Sequence, residues 1–498
     1  MKKDKMFEIL EDLDEKMVLE ADGYRAKKTI AWKRWAAVAA CAVIAVRAIA
    51  SMPKMGSSSF VKEDESPAEP KARMDKAEAY ANEGEYGMRT INGPRQTAGA
   101  EEMTAEAFYE SGEHWEWWDS YVDSLPASRA VSRELDGYYS RIMEKVLLSD
   151  EDNTVCSPLN TYFAFSMLAG VTDGNTRQQV LDMLGAASEE EVYSNVEALW
   201  AANSIDNPVL KSRLANSMWL RDDISYDEGT LNKVSENCHA SDFIGRPGSA
   251  EMDRALQEWT DENTGRLLTD YVKDLKLEKE TVLSLISTLY YKASWIDRFN
   301  RNATDTQIFH GKKGDTEVDM MHTGLMTQLR KTKNFRMIGL DLTDSGQMCL
   351  FLPNKGVDVD KLAGDPLVLR AIRGGAGVDY SRPMVHLSVP RFEVTSKCDL
   401  RPVLQELGVT DVMIPGIADF TPLTGDVDEI YLSRAEHAAL VKIDEEGVTG
   451  AAYTEMSMAA GARMPQEEID LVFDRPFMFV ITGRDGSVLF SGIVRNIE

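Results

Sequence analysis

Apolar residues recur every three to four positions in some stretches of this chain and every second position in others. "RELDGYYSRIMEKVLL" (133–148), "DRALQEWTDENTGRLL" (253–268) and "CDLRPVLQELG" (398–408) carry the helical period. "NTRQQVLDMLG" (175–185) adds end signals, an Asn175/Thr176 capping pair and a closing Gly185. Runs rich in β-branched and aromatic residues predict strands in "TVLSLISTLYYKASW" (281–295), "MCLFLPN" (348–354) and "HLSVPRFEV" (386–394). Two more, "RPFMFVITG" (475–483) and "SVLFSGIV" (487–494), flank Arg484, Asp485 and Gly486, which suit a hairpin turn. Helices and strands without regular alternation predict an α+β fold, and no internal repeat is visible.

The pattern changes upstream. Met6, Ile9, Leu10, Leu13 and Met17 form an amphipathic stretch, and Arg25, Lys27, Lys28, Lys33 and Arg34 follow as a basic cluster, closing a segment over 1–34. "WAAVAACAVIAVRAIASM" (35–52) is apolar apart from Arg47. About 18 to 20 such residues cross a bilayer, and Arg47 near one end can reach the head groups. Basic residues before the span predict a cytoplasmic N-terminus and an extracellular remainder. A cleaved signal peptide, a lipoprotein site at "VAAC" and a surface-lying Ala-rich helix are the rival readings. Residues 53–127, rich in Pro, Ser, Glu, Lys and Gly, read as a low-complexity stalk. Within it, the tryptophans of "EAFYESGEHWEWWDSYVDSLP" (106–126) are expected to dock on the folded part, itself expected over 128–498, with the membrane face and a binding partner as the alternatives. The layout resembles the start of many Gram-positive bacterial membrane proteins, and the expected location is the cell membrane, as a single-pass protein.

Composition narrows the function. The net charge of -27 excludes nucleic acid as a partner. Five widely spaced cysteines form no metal-like or disulfide framework, and six scattered histidines build no zinc motif. No metal and no cofactor are expected. Nucleophile elbows, phosphate loops and dinucleotide fingerprints are absent. "SFVK" (59–62) lies in the stalk, where no pocket can hold a nucleophile, and the consecutive acids Asp444, Glu445 and Glu446 on a strand would face opposite ways. No catalytic residue is assigned.

One stretch resists these patterns. "VKIDEEGVTGAAYTEMSMAAGARMPQEEID" (441–470) opens like a strand, runs through Gly, Ala, Ser, Thr and Met, and only then becomes strand-like again. It has too few large apolar residues for a core, too many glycines for a helix and no hairpin chemistry. It is longer than most ordered connections, and loops of that length tend to be functional or disordered.

The chain over 128–498 resembles a serpin, a serine or cysteine protease inhibitor of the loop-insertion type. "NTVCSPLNTYFAFSMLAGVTDGNTRQQVLDMLG", "LANSMWL", "LSLISTLYYKASWIDRF" and "DRPFMFVI" with "VLFSGIVRN" resemble the family's segments in the family's order. "VKIDEEGVTGAA" resembles its hinge. The resemblance implies an exposed loop that a protease attacks and that then enters the main sheet as a new strand, with no turnover and no cofactor. It implies a hinge at Glu445, Glu446, Gly447, Val448, Thr449, Gly450, Ala451 and Ala452. Val448 stands in place of the usual Thr or Ser, and Gly450 in place of an alanine. Insertion needs small uncharged side chains on the buried parity, and Val448, Gly450, Ala452 and Thr454 meet that need, while Gly447 supplies backbone freedom.

Family spacing places the scissile bond at Gly461–Ala462, which suits elastase- or subtilisin-like proteases. Arg463–Met464, which suits trypsin-like ones, is the rival, and Met458 is a third bait. A buried polar cluster under the loop-entry point is implied at Ser157, Asn160, Ser287, Trp295 and His437, with Asn160 and Ser287 exchanged relative to the family. The expected protein is a membrane-anchored monomeric protease inhibitor. The alternatives are a non-inhibitory binding module and a signalling protein whose N-terminal helix takes a cytoplasmic partner.

Overall fold

Residues 436–443 bury His437, Ala439, Val441 and Ile443 and turn the side chains between them away. A strand with one face on a core has that alternation. The chain is described from a computed structural model, which covers residues 89–90, 103–148, 152–426, 430–448 and 467–497. It divides into two units, 1–69 and 70–498, and all described residues belong to the second. The segments expected at 1–34 and 35–52 lie outside the described residues. No helix among the described residues is long and apolar enough to cross a membrane.

Among the described residues three sheets form. The main one runs in the order β1 (Arg89–Thr90), β5 (Ala240–Gly245), β4 (Lys211–Arg221), β6 (Leu283–Ser294), β16 (Gly447–Val448), β15 (Glu436–Ile443) and β14 (Phe392–Asp399), with β3 (Ile205–Asp206) beside β4. The second runs β12 (Asp379–Ser381), β9 (Leu329–Lys331), β10 (Phe335–Asp341), β11 (Gln347–Pro353), β18 (Phe477–Thr482), β19 (Val488–Val494), β2 (Thr154–Cys156). Strands β18 and β19 are buried at every position, so they show no alternation of buried and exposed residues. The third sheet runs β17 (Glu468–Val472), β13 (Met384–Pro390), β8 (Gly314–Met326), β7 (Asp305–Gly311).

Helices α1 (Ala105–Ser111), α2 (Glu113–Glu134) and α3 (Asp136–Val146) precede the almost wholly buried α4 (Pro158–Val171). Ser157 caps α4 and Pro158 opens it, where a missing N–H costs nothing. Helix α4 packs against β6 and β19. Next come α5 (Gly174–Leu184), α6 (Glu189–Asn203), α7 (Glu228–Cys238) and α8 (Ala250–Asn263). Helix α8 builds a separate small core with Trp219 and Phe243 of the main sheet, whose rings stack at 4.5 Å.

Several sequence expectations shift. The packed unit does not begin at 128, because α2 runs through that position and through Pro126. Tyr121, Leu125 and Ser128 of α2 are buried, and that packing offsets the helical bond that proline removes. The tract 106–126 is therefore helix on the folded unit, with Trp117 and Trp118 against its core. Helix 253–268 stops at Asn263, since Gly265 and Arg266 both take the left-handed conformation. Asp173 rather than Asn175 or Thr176 sits at the start of α5, while Asn175 bonds Asp411 and Thr176 accepts from the Asp419 amide. "HLSVPRFEV" is two strands, because the chain leaves the third sheet as β13 and enters the main sheet as β14 at Arg391.

Candidate functional site

Strand β15 ends at Ile443 rather than continuing to Glu446. Asp444 stops it, because its carboxylate accepts from the Glu446 amide (2.8 Å) and the Gly447 amide (3.2 Å), folding the three acids into a tight connection. The chain then turns back as β16, which lies between β15 and β6 and pairs antiparallel with both: Gly447 opposite Ser294, Val448 opposite Ala293, and Val448 opposite Ile443. Val448 is 2% exposed.

The two glutamates in this turn are anchored. Glu445, 2% exposed, receives Arg391 Nη2 (2.6 Å) and Thr304 Oγ1 (2.5 Å). Burial pushes the Glu445 carboxyl up, but those bonds outweigh it and hold the group below the ordinary carboxylate range. Glu446 pairs with Arg298 (2.8 Å) and Arg301 (3.2 Å). Trp295 closes the turn from the sheet side: its amide donates to the Glu446 carbonyl (3.0 Å) and its indole N–H to the Asp444 carbonyl (2.8 Å).

Gly447 is needed here for close approach, not for an unusual φ. A Cβ on it would sit 2.1 Å from the Ala293 carbonyl oxygen and 2.8 Å from Ser294 Cα. Gly447→Ala is expected to force β16 out of the sheet, costing about 1–3 kcal/mol. Hydrogen exchange checks it: the Trp295 and Phe299 amides, bonded to Glu446 and Glu445, should lose protection. Protection unchanged from wild type would mean the backbone of β6 yields instead.

Further along β6 and β15 lies a cavity of about 140 Å³, with Ser157, Asn160, Ser287 and His437 in its lining and α8 contributing Leu256 and Thr260. The structure thus brings four of the five implied cluster residues together. Trp295 is not among them; it belongs to the turn at the end of β6, eight residues along that strand from Ser287. His437 Nε2 accepts the Ser157 amide (2.9 Å), and burial lowers its pKa to about 4. Ser157 Oγ accepts from the Asn160 amide at 3.4 Å.

Asn160 Oδ1 and Ser287 Oγ, the exchanged pair, have no hydrogen-bond partner among the described residues. A compensated swap that keeps both of these atoms hydrogen-bonded is therefore not what is seen. Both still line one cavity. Asn160→Ser and Ser287→Asn are expected to couple by about 0.5–3 kcal/mol in a double-mutant cycle. Additive unfolding free energies would mark the two substitutions as independent.

Hinge residues Thr449, Gly450, Ala451 and Ala452, and the bait residues Gly461, Ala462, Arg463 and Met464, lie outside the described residues. Cys156, Cys238 and Cys349 are buried free thiols and Cys398 is half-buried, and burial raises the pKa of each. Sequence reasoning did not foresee Arg391 as the partner of Glu445. A lone arginine between two strand runs gave no signal of it.

The family model described as serpin (serine protease inhibitor) matches residues 138–497. Serpin I2 of Homo sapiens is 25% identical over 386 residues, covering 74% of this chain and 92% of that protein. A serine protease inhibitor of Cyanea capillata is 26% identical over 362 residues, covering 70% and 93%. Among solved structures, native tengpin, a thermophilic serpin, aligns with a TM-score of 0.65 at 20% identity, covering 74% of this chain and 94% of its own. Thyroxine-binding globulin in complex with thyroxine aligns at 0.61 and 21% identity, covering 74% and 99%.

Proposed function

This chain belongs to the serpin family of serine protease inhibitors, not to the enzymes, and on that premise we propose that it is an irreversible suicide substrate whose loop enters the main sheet between β6 and β15. The observation that carries this is β16. Two residues of the hinge, Gly447 and Val448, already pair with β6, and Val448 pairs with β15 as well. Extending that register sets Gly450 in the row of Tyr291 and Val441, Ala452 in the row of Leu289 and Ala439, and Thr454 in the row of Ser287 and His437. Each row lies on the parity of Val448. Tyr453 and Glu455 fall on the other parity.

The chemistry up to insertion is the protease's own. Its serine oxygen attacks the Gly461 carbonyl carbon, the bond to the Ala462 nitrogen breaks, and the serine proton passes through the protease to that departing amine. The freed loop then adds a strand, gaining ladder bonds and burying apolar surface before water can attack the ester. Anchored by 35–52 and carried on a stalk, the domain would trap proteases outside the cell, with elastase- or subtilisin-like enzymes favoured if the bait is Gly461–Ala462.

The test is incubation of the full chain with elastase-, subtilisin- and trypsin-like proteases. Detergent gels look for a covalent complex, and mass spectrometry identifies the released peptide. A complex with a peptide starting at Ala462 supports the small-residue bait, and a start at Met464 moves the target to trypsin-like enzymes. Cleavage without a complex, and without a gain in thermal stability, removes the inhibitory reading in favour of a binding module.

A further inference from the structure

The helices upstream of the family-matched segment touch the fold at an informative place. His114, buried on α2, contacts Asp344 Oδ2 through Nε2 at 3.0 Å, and the Tyr109 hydroxyl of α1 donates to the same oxygen at 3.3 Å. The His114 ring is fixed by aromatic neighbours, with Trp118 stacked at 5.9 Å and Phe108 edge-on at 5.5 Å. Asp344 sits in the turn between β10 and β11 with φ of 56°. A non-glycine residue in that conformation is held by its surroundings.

That turn is bonded to the end of β6. The Thr343 amide donates to the Ser294 carbonyl (2.9 Å), the Ile296 amide to the Asp341 carbonyl (3.0 Å), and Leu342 bridges to Trp295. Ser294 is the residue that Gly447 pairs with, and Trp295 holds the Asp444 and Glu446 carbonyls. A continuous set of contacts therefore joins the N-terminal helices to the point where β16 enters the sheet.

We propose that Asp344 is a positioning residue for loop entry, held in place by Tyr109 and His114, so that the N-terminal helices set how firmly the hinge docks on β6. Its functional meaning rests on the loop-insertion reading above; its measurement does not. The N-terminal helices would then act on the inhibitor, because whatever binds or displaces α1 and α2 changes the end of β6.

Hydrogen exchange on the uncut full chain tests this with three variants. Asp344→Gly suits the left-handed backbone and removes the carboxylate. His114→Phe keeps the ring packing and removes the bond. Asp344→Asn keeps an acceptor oxygen and tolerates the conformation. The first two are expected to speed exchange at Trp295, Ile296, Phe299 and Thr343 about tenfold, the fold-change of a lost bond to a charged group. Asn should restore near-wild-type rates, and β18 and β19 should not change. Faster exchange confined to 105–134, or spread equally over β18 and β19, would overturn the proposal and leave the helices a packing role. A separate protease arm keeps the two questions apart: wild-type chain cut without complex would end the inhibitory reading while leaving the exchange result intact.

Discussion

Thr454→Arg is expected to turn the chain from an inhibitor into a substrate. The register set by Gly447 opposite Ser294 and Val448 opposite Ile443 carries position 454 into the row of Ser287 and His437. That row lines the cavity over which α8 lies. A guanidinium there must shed its water beside a neutral imidazole, with no carboxylate in its row. Stranding a charge in such a place costs roughly several kcal/mol. Each 1.4 kcal/mol added to the insertion barrier slows insertion about tenfold while ester hydrolysis continues. The fraction of protease trapped should fall at least about tenfold, with the cleavage rate of the loop unchanged. Tyr453→Arg, on the opposite parity, is the control and should still trap. Retained trapping by Thr454→Arg, or equal loss in both variants, would mean that the loop does not follow the register of β16.

The parts of the fold legible from sequence were those where one local rule acted alone. Gly185 ends α5 in a left-handed conformation at φ 78°, as a closing glycine should. The runs around 477–482 and 488–494 are strands because large apolar and β-branched residues dominate both and a turn separates them. Where tertiary contacts opposed the local signal, sequence reading failed. The aromatic tract 106–126 docks on the fold as its composition suggests, but Pro126 and its acids hide that it is helix, which the burial of Tyr121 and Leu125 maintains. Gly447 suggested backbone freedom, but what excludes a side chain there is the Ala293 carbonyl, on a strand about 150 residues earlier in the chain. The family resemblance implies Trp295 in one cluster with Ser287, whereas the length of β6 separates the turn that Trp295 closes from the cavity. Long-range partners of this kind leave no local trace.

Acid is expected to weaken the uncut protein through His437. The imidazole is buried, and its Nε2 accepts the Ser157 amide at 2.9 Å, so it serves this site as a neutral acceptor. Protonation would set one donor against another. Burial places its folded pKa at about 4, against about 6.5 in an unfolded chain. Between those values the unfolded state binds the extra proton, so stability rises with pH through that window and is lost as pH falls. A shift of that size corresponds to about 3 kcal/mol, present in full above neutrality and fully lost below pH 4. Glu445, held below its ordinary range, loses stability in the same direction at the acid end, so a single melting curve would mix the two. Comparison with His437→Gln separates them, because a glutamine oxygen can accept the same amide and does not titrate. Denaturant unfolding of both proteins from pH 4 to pH 7 should show a steeper rise for the wild type. Parallel curves would mean that the imidazole takes up its proton in the folded state, with the cavity beside it, rather than a dry core, receiving the charge.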